Sequence, residues 1–244
     1  MRNIRLTIQY DGTNYAGWQF QKNARSVQET IERALKKILG ENIRLIGAGR
    51  TDSGVHAREQ AANFKTRSKL PAKNIQKALN SRLPKDIRVS KVEEAAAVFN
   101  SQFDAKAKAY RYTIVNSDFM DPFLRRFAAK CFYRLDINAM KKAARHLLGR
   151  HDFRTFQAKD VRRRQAVRTV KKIRIEKSGN LIYIDMEADG FLYNMARNIV
   201  GTLIEVGRGK MAPDDVREIL KKLDRRLAGP TAPAAGLCLV KVKY

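Results

Sequence analysis

Ser26-Val27-Gln28-Glu29-Thr30-Ile31-Glu32-Arg33-Ala34-Leu35-Lys36-Lys37-Ile38-Leu39-Gly40 is the stretch on which the reading of the fold turns. Val27, Ile31, Leu35 and Ile38 recur at helical spacing and give the segment one apolar face. Ser26 and Glu29 have the spacing of a capping box, the Ser oxygen serving the N3 amide and the Glu reaching back. Gly40 stands where a left-handed residue ends a helix. Upstream, Ile4, Leu6, Ile8 and Tyr10 alternate with polar residues, the mark of a half-buried strand. Downstream, Ile43 and Leu45 suggest a short second strand, Ala62 and Phe64 a third, and Ile87 and Val89 a fourth. A second helix carrying Ile75, Ala78 and Leu79 stops before Pro84. The first half thus reads β-α-β-β-α-β.

The second half repeats that order. Tyr110, Tyr112 and Ile114 alternate as a strand, and Ile137, Met140, Ala144, Leu147 and Leu148 mark a helix closed by Gly149. A hairpin runs from about Val167 to Ala188 with its turn at Ser178-Gly179-Asn180. A long helix follows with Phe191, Met195, Ile199, Leu203 and Val206 on one side. An extra helix starts at Pro213, a good first helical residue, and a last strand spans Cys238 to Val242. The fold class expected is α+β: two ferredoxin-like halves, residues 1–104 and 105–244, side by side. They would form a largely antiparallel sheet with helices on one face and, by analogy with open sheet faces that hold RNA on aromatic side chains, a central RNA-binding cleft.

The loop before the third strand is Gly47-Ala48-Gly49-Arg50-Thr51-Asp52-Ser53-Gly54-Val55-His56-Ala57. Its glycines permit tight turns and close backbone approach. They crowd around one carboxylate, Asp52. Two readings stand side by side: a turn whose Asp accepts backbone hydrogen bonds, and a nucleophilic carboxylate kept ionised by a nearby cation, for which Arg50 and Arg197 are candidates. Asp-Ser-Gly is also the triplet of aspartic proteases, but those need two carboxylates sharing a proton, and this chain has one such triplet.

The 244 residues carry 50 Lys and Arg against 24 acidic residues, a net charge of +26. Such a surplus calls for a polyanion, most simply nucleic acid. The hydrophobic fraction of 44% is that of a folded protein, so the charge does not signal disorder. Nothing approaches the roughly 20 apolar residues of a membrane span, and the N-terminus reads as a strand rather than a signal peptide. Cys131 and Cys238 look like buried thiols of a reducing compartment. With three histidines they make no zinc spacing. The expectation is a cytoplasmic protein that binds no metal. Lys108-Ala109-Tyr110-Arg111-Tyr112 places two tyrosines on one sheet face between cations, suiting base stacking and phosphate contact; core packing is the competing reading for Tyr112. Lys159 to Lys177, with Arg162-Arg163-Arg164, is the densest positive segment and reads as a phosphate-contacting run.

Gly49-Arg50-Thr51-Asp52-Ser53-Gly54-Val55-His56-Ala57 resembles the signature loop of the TruA family of tRNA pseudouridine synthases. Tyr10-Asp11-Gly12-Thr13-Asn14-Tyr15-Ala16-Gly17-Trp18-Gln19 resembles the family's opening, and Lys108 to Tyr112 its central tyrosine motif. His151-Asp152-Phe153 with Arg168-Thr169-Val170, Phe191 to Gly201, and Ala232 to Leu237 match in order, with Ala196 where Val is expected. The resemblance implies two ferredoxin-like halves, and a cofactor-free homodimer that isomerises uridine in tRNA, in the anticodon stem-loop at positions 38–40. It implies Asp52 as nucleophile, Arg197 as its salt-bridge partner and Tyr110 as the ring stacked on the target uracil. Arg50, His56, Arg168 and Leu237 would bind the substrate. A non-catalytic RNA-binding protein retaining fold and charge is the alternative, against which the intact Arg50, Asp52, Tyr110 and Arg197 set speaks.

Overall fold

The computed structural model describes residues 1–158 and 165–244; Arg162, Arg163 and Arg164 lie outside them. Two compact units are formed, Met1–Lys106 with Leu239–Tyr244, and Ala107–Cys238. Among the described residues, no helix is long and apolar enough to cross a membrane.

The first unit contains β1 (Arg2–Tyr10), α1 (Val27–Leu39), β2 (Ile46–Gly47), β3 (His56–Thr66), α2 (Ala72–Arg82) and β4 (Ile87–Ala95). β1 lies between β4 and β3, antiparallel to both, with Ile4 opposite Phe64 and Leu6 opposite Ala62. β2 pairs with β3 through Ile46 and Asn63. This is the strand order of a ferredoxin-like split β-α-β unit. Ile4, Leu6, Ile8, Ile31, Leu35, Phe64, Ile75 and Leu79 are all buried and make its core. The helix α1 forms where its spacing predicts. The Ser26 side chain accepts from the Glu29 amide at 3.2 Å, and Gly40 ends the helix at φ 70°. The capping box is only half built, because Glu29 turns its carboxylate to Arg33 at 2.7 Å. The second strand also starts later than Ile43 and Leu45 suggest. Both are buried, but Leu45 gives its N–H to Glu32 Oε1 (2.8 Å) and accepts from Gln28 Nε2 (3.2 Å), so α1 side chains hold its backbone.

The chain's last strand, β10 (Leu237–Lys243), neighbours β3. Residues Leu239–Tyr244, read from sequence as closing the second half, therefore belong with the first unit. Tyr244 anchors them there. Its hydroxyl donates to Ser101 O at 3.0 Å, and its ring lies 5.0 Å from Phe99 and 4.2 Å from the Arg5 guanidinium.

The second unit contains β5 (Ala107–Val115), β6 (Ala129–Lys130), α3 (Ile137–Arg145), β7 (Gly149–Asp152), β8 (Val167–Ser178), β9 (Leu181–Ala188), α4 (Met195–Gly207) and α5 (Asp215–Lys222). The order is β5-β9-β8-β7, antiparallel throughout, with β6 parallel to β5. The hairpin turns at Gly179-Asn180, with Gly179 at φ 56°. Three expected boundaries move inward. α3 stops at Arg145, and Gly149 at φ 97° opens β7 rather than capping a helix. Phe191 precedes α4, and Pro213 lies ahead of α5.

Gly201 shows how tightly α4 is covered. A Cβ there would sit 1.7 Å from Pro230 O, a backbone atom that cannot swing aside. Gly201→Ala is expected to cost at least about 1–3 kcal/mol, the range for overpacking. Thermal unfolding should then shift down by several degrees. An unchanged Tm would show that the Pro230 segment yields.

Candidate active site

The loop that carries Asp52 spans Ala48 to Val55 between β2 and β3, and both flanks hold it by backbone bonds. On the β3 side, Ala48 N donates to Ala61 O at 2.8 Å, and Gln60 Nε2 donates to Gly49 O at 2.7 Å. The connection from β1 to α1 clasps the other side. Trp18 N donates to Thr51 O at 3.0 Å, Gly54 N to Tyr15 O at 3.3 Å, and Ser53 Oγ to the same carbonyl at 3.2 Å. The Tyr10 hydroxyl meets Thr51 Oγ1 at 2.8 Å in a buried pair. Asp52 itself is half-buried, and its carbonyl accepts from Val55 N at 3.2 Å to close a turn.

Glycines make this clasp possible, though not all for the reason the sequence suggests. Gly54 has φ 76° as expected of a turn. Gly47 is required because a Cβ would stand 2.4 Å from Trp18 Nε1. Two glycines outside the loop matter equally. A Cβ on Gly12 would be 2.0 Å from Val55 O, and one on Gly17, at φ 90°, would be 2.4 Å from Thr51 O and 3.0 Å from the Asp52 carbonyl carbon. Tyr10, Gly17, Trp18 and Gln60 are the bracing residues that reasoning on the loop alone misses. The signal for them was the opening motif, whose residues the structure lays along the loop.

His56 begins β3 and is buried at 3% exposure. Its Nδ1 accepts from Gly12 N at 3.1 Å and lies 3.2 Å from Asp11 Oδ1. Arg50 is exposed on the loop. Nearby, burial and the Asp86 carboxylate at 2.6 Å push the Tyr15 phenol well above its ordinary pKa.

The second unit gathers the other motifs. Tyr110 on β5 is 5% exposed, and its ring meets Phe191 edge-on at 5.0 Å. Tyr112 is core: its hydroxyl donates to Pro233 O at 2.8 Å, and Gly236 lies where a Cβ would be 2.5 Å from its ring. Burial raises its phenol pKa. Arg111, between them, makes a bidentate pair with Asp185 across the strands at 2.7 and 2.8 Å, which raises its pKa. Arg197, the cation in the first turn of α4 that is expected to be functional, is not a solvated arm. Its Nε donates to Ala232 O at 2.7 Å and its Nη1 reaches Asn194 Oδ1 at 3.3 Å. Ala232 N donates back to Arg197 O at 3.2 Å. Asn194, at φ 58°, makes the turn into α4. Leu237, at 4% exposure, starts β10 just after this segment. Arg168 on β8 stands opposite His151 on β7, with its Nη1 2.6 Å from Val167 O. Cys131 and Cys238 form no disulfide, and burial raises the Cys131 thiol. Among the described residues, no group of three or more His, Cys, Asp or Glu side chains is placed to hold a metal ion.

The first unit thus holds a braced acidic loop, and the second a buried tyrosine and a tethered arginine. A family model described as tRNA pseudouridine synthase matches residues 6–104 and 143–244. The tRNA pseudouridine synthase A of Thermoanaerobacter sp. (strain X514) is 50% identical over 244 residues, 100% of both chains. The tRNA pseudouridine synthase A 2 of Clostridium perfringens (strain 13 / Type A) and the tRNA pseudouridine synthase A of Acetivibrio thermocellus are each 47% identical over the same full span. The chain belongs to the tRNA pseudouridine synthase family, whose members are isomerases. Among solved structures, a chain of a Cbf5-Nop10-Gar1 complex matches with a TM-score of 0.38 at 13% identity, over 96% of this chain and 57% of that one.

The clasp gives a direct prediction. Gly17→Ala introduces a Cβ against the Thr51 and Asp52 backbone, and a candidate catalytic group displaced in this way loses orientation. Pseudouridine formation should fall at least about tenfold. Gly179→Ala bears a similar left-handed backbone cost of roughly 1 kcal/mol but has nothing within 4 Å, and should keep its activity. Equal activity in the two variants would remove the clasp from the account.

Proposed function

We propose that this protein converts uridine to pseudouridine in the anticodon stem-loop of tRNA, with Asp52 as nucleophile, and that it works as a cytoplasmic homodimer. The observation that carries the reading is the loop: a half-buried carboxylate is held by backbone bonds on both flanks and by glycines that allow no alternative side chain. A turn that merely caps itself needs no such bracing. The net charge of +26 supports a polyanionic substrate, and the anticodon stem-loop is what the resemblance to the TruA family implies.

The chemistry assigns each residue a part. The N1–C1′ bond of uridine breaks, the uracil turns, C5 bonds to C1′, the C5 proton leaves, and N1 takes up a proton. No electrons enter or depart, so the isomerisation requires no redox partner. The target base must first leave its stack, at a cost of a few kcal/mol. Asp52 captures or steers the detached intermediate. Arg197, its guanidinium fixed by Ala232 and Asn194, is the salt-bridge partner that the resemblance implies for that carboxylate. Tyr110, its ring set by Phe191, stacks on the uracil and assists the C5 proton transfer. Leu237 packs on the base, and the exposed Arg50 with Arg168 holds the flipped nucleotide through charge. His56, which accepts from Gly12 N, takes part in substrate binding by fixing the backbone that clasps the Asp52 loop.

Asp52→Ala separates binding from chemistry. The variant is expected to bind tRNA within about tenfold of wild type and to form no detectable pseudouridine, because it removes a group needed only after the base is captured. Full activity would sink the nucleophile assignment. Mapping pseudouridines in tRNA treated with the wild-type protein then tests the anticodon stem-loop. Affinity should also fall with salt, log K against log salt sloping about −0.9 per duplex phosphate contact; a flat response would refute the electrostatic part.

A further inference from the structure

In the first unit, the two residues that follow Asp52 hang on a single carbonyl. Tyr15 O accepts from Gly54 N at 3.3 Å and from Ser53 Oγ at 3.2 Å, so both lone pairs of that oxygen are spent on the loop. The other end of the same residue reaches away from the loop. Its hydroxyl donates to Asp86 Oδ1 at 2.6 Å.

Asp86 is fixed by the sheet. The pairing of β1 with β4 ends at Tyr10 opposite Ile87, and Asp11 N carries it one step further by donating to Asp86 O at 2.9 Å. Ile87 N donates to Pro84 O at 3.1 Å and closes the turn in which Asp86 stands. From Asp11 the chain leaves the sheet and turns, with Tyr15 N donating to Gly12 O at 3.0 Å. The Tyr15 side chain then ties it back, so residues 11–15 form an excursion held at both ends by Asp86. The tyrosine is 2% exposed, with the Arg25 guanidinium 5.1 Å from its ring centre. Burial and the carboxylate raise the phenol pKa, so the hydroxyl keeps its proton and remains a donor.

We infer that Tyr15 and Asp86 are a positioning pair for the isomerisation: their bond sets where the Tyr15 carbonyl stands, and that carbonyl sets where Asp52 stands. The assignment rests on the reading of Asp52 as nucleophile. A buried tyrosine hydroxyl needs a partner in any fold, and a bond made for that reason alone would matter only to stability. The surroundings of Asp52 argue for more. On its other side Thr51 is held independently, by Trp18 N at 3.0 Å and by the Tyr10 hydroxyl at 2.8 Å. Releasing Tyr15 therefore frees only the side after Asp52. The carboxylate swings while the loop stays folded, which costs rate rather than structure.

The test is a double-mutant cycle in the full chain: Tyr15→Phe, Asp86→Ala and the two combined. Single-turnover pseudouridine formation at saturating tRNA and tRNA affinity are measured for each. Each single variant is expected to react about tenfold more slowly while binding tRNA within about twofold of wild type. The double variant should be no slower than either, because its second change removes a bond already lost. Asp86→Asn, whose amide oxygen still accepts from the hydroxyl, should regain most of the rate lost in Asp86→Ala. Tyr15→Phe removes one oxygen and keeps the ring, so it decides the matter even if Asp86→Ala does not fold. Wild-type rates in the single variants beside an inactive Asp52→Ala would overturn this inference alone. So would losses that multiply in the double variant, or a lower melting temperature with the rate unchanged. Full activity in Asp52→Ala would overturn the nucleophile reading and this inference with it.

Discussion

The first unit depends on the close approach of two backbones, residues 11–18 against residues 48–55. At Gly12, Gly17 and Gly47 a single added carbon would collide with a peptide oxygen or with the Trp18 ring. Hydrogen bonds from Trp18 N, Gly54 N and Ser53 Oγ then lock the contact. A loop held this way has lost its conformational freedom on folding rather than at the moment of reaction. That is what a group meant to act on a transition state requires. Burial of Trp18 and Tyr15 against the clasp ties this local rigidity to the core of the first unit.

The second unit solves the same problem in the same way. Gly201 and Gly229 let the segment from Gly229 to Ala232 lie directly on α4, where a Cβ on Gly229 would stand 2.7 Å from the Thr202 backbone. Asn198, fully buried on α4, accepts from Thr231 Oγ1 at 2.7 Å and from Arg225 at 3.0 Å. Thr202 Oγ1 accepts from Gly229 N at 2.9 Å. With that segment fixed, Ala232 O is in place to receive Arg197. The arginine is therefore oriented by the backbone, which no rotamer change in a neighbour can undo.

Periodicity made much of this legible in the sequence. The apolar stripe of α1, the Gly40 stop, the alternation of β1 and β5 and the two-residue hairpin turn all appear where residue spacing puts them. What spacing missed has physical reasons. β2 and β6 are two residues long, too short to show alternation. β7 reads Gly-Arg-His-Asp, an outer strand with little apolar side chain to register. Leu45 looked like strand because it is buried, yet its backbone bonds go to side chains of α1. The place of the last strand was hidden because a strand's sequence states that it pairs, not with what; the partner is decided by Tyr244, Phe99 and Arg5 at a distance. At the candidate site, glycine density pointed to the Asp52 loop. The bracing by Gly12 and Gly17 showed only as two glycines of the opening motif, since a backbone contact does not name its partner in the sequence. Tyr112 was open between core and base platform, and its full burial with a satisfied hydroxyl makes it core.

The proposed chemistry explains why rigidity is concentrated where it is. Extruding a base costs a few kcal/mol, and a chain this cationic gains enough from phosphate contacts to meet that cost. Phosphate contacts are tolerant of position, because a lysine or arginine on a flexible stem follows its partner. A carboxylate that must meet one carbon of a turning uracil has no such tolerance, and a displacement of about 1 Å can cost two orders of magnitude in rate. The molecule divides its residues accordingly. Its cations sit largely on exposed stems, while Asp52, Tyr110 and Arg197 are set on backbone fixed by glycines, a buried ring and a carbonyl.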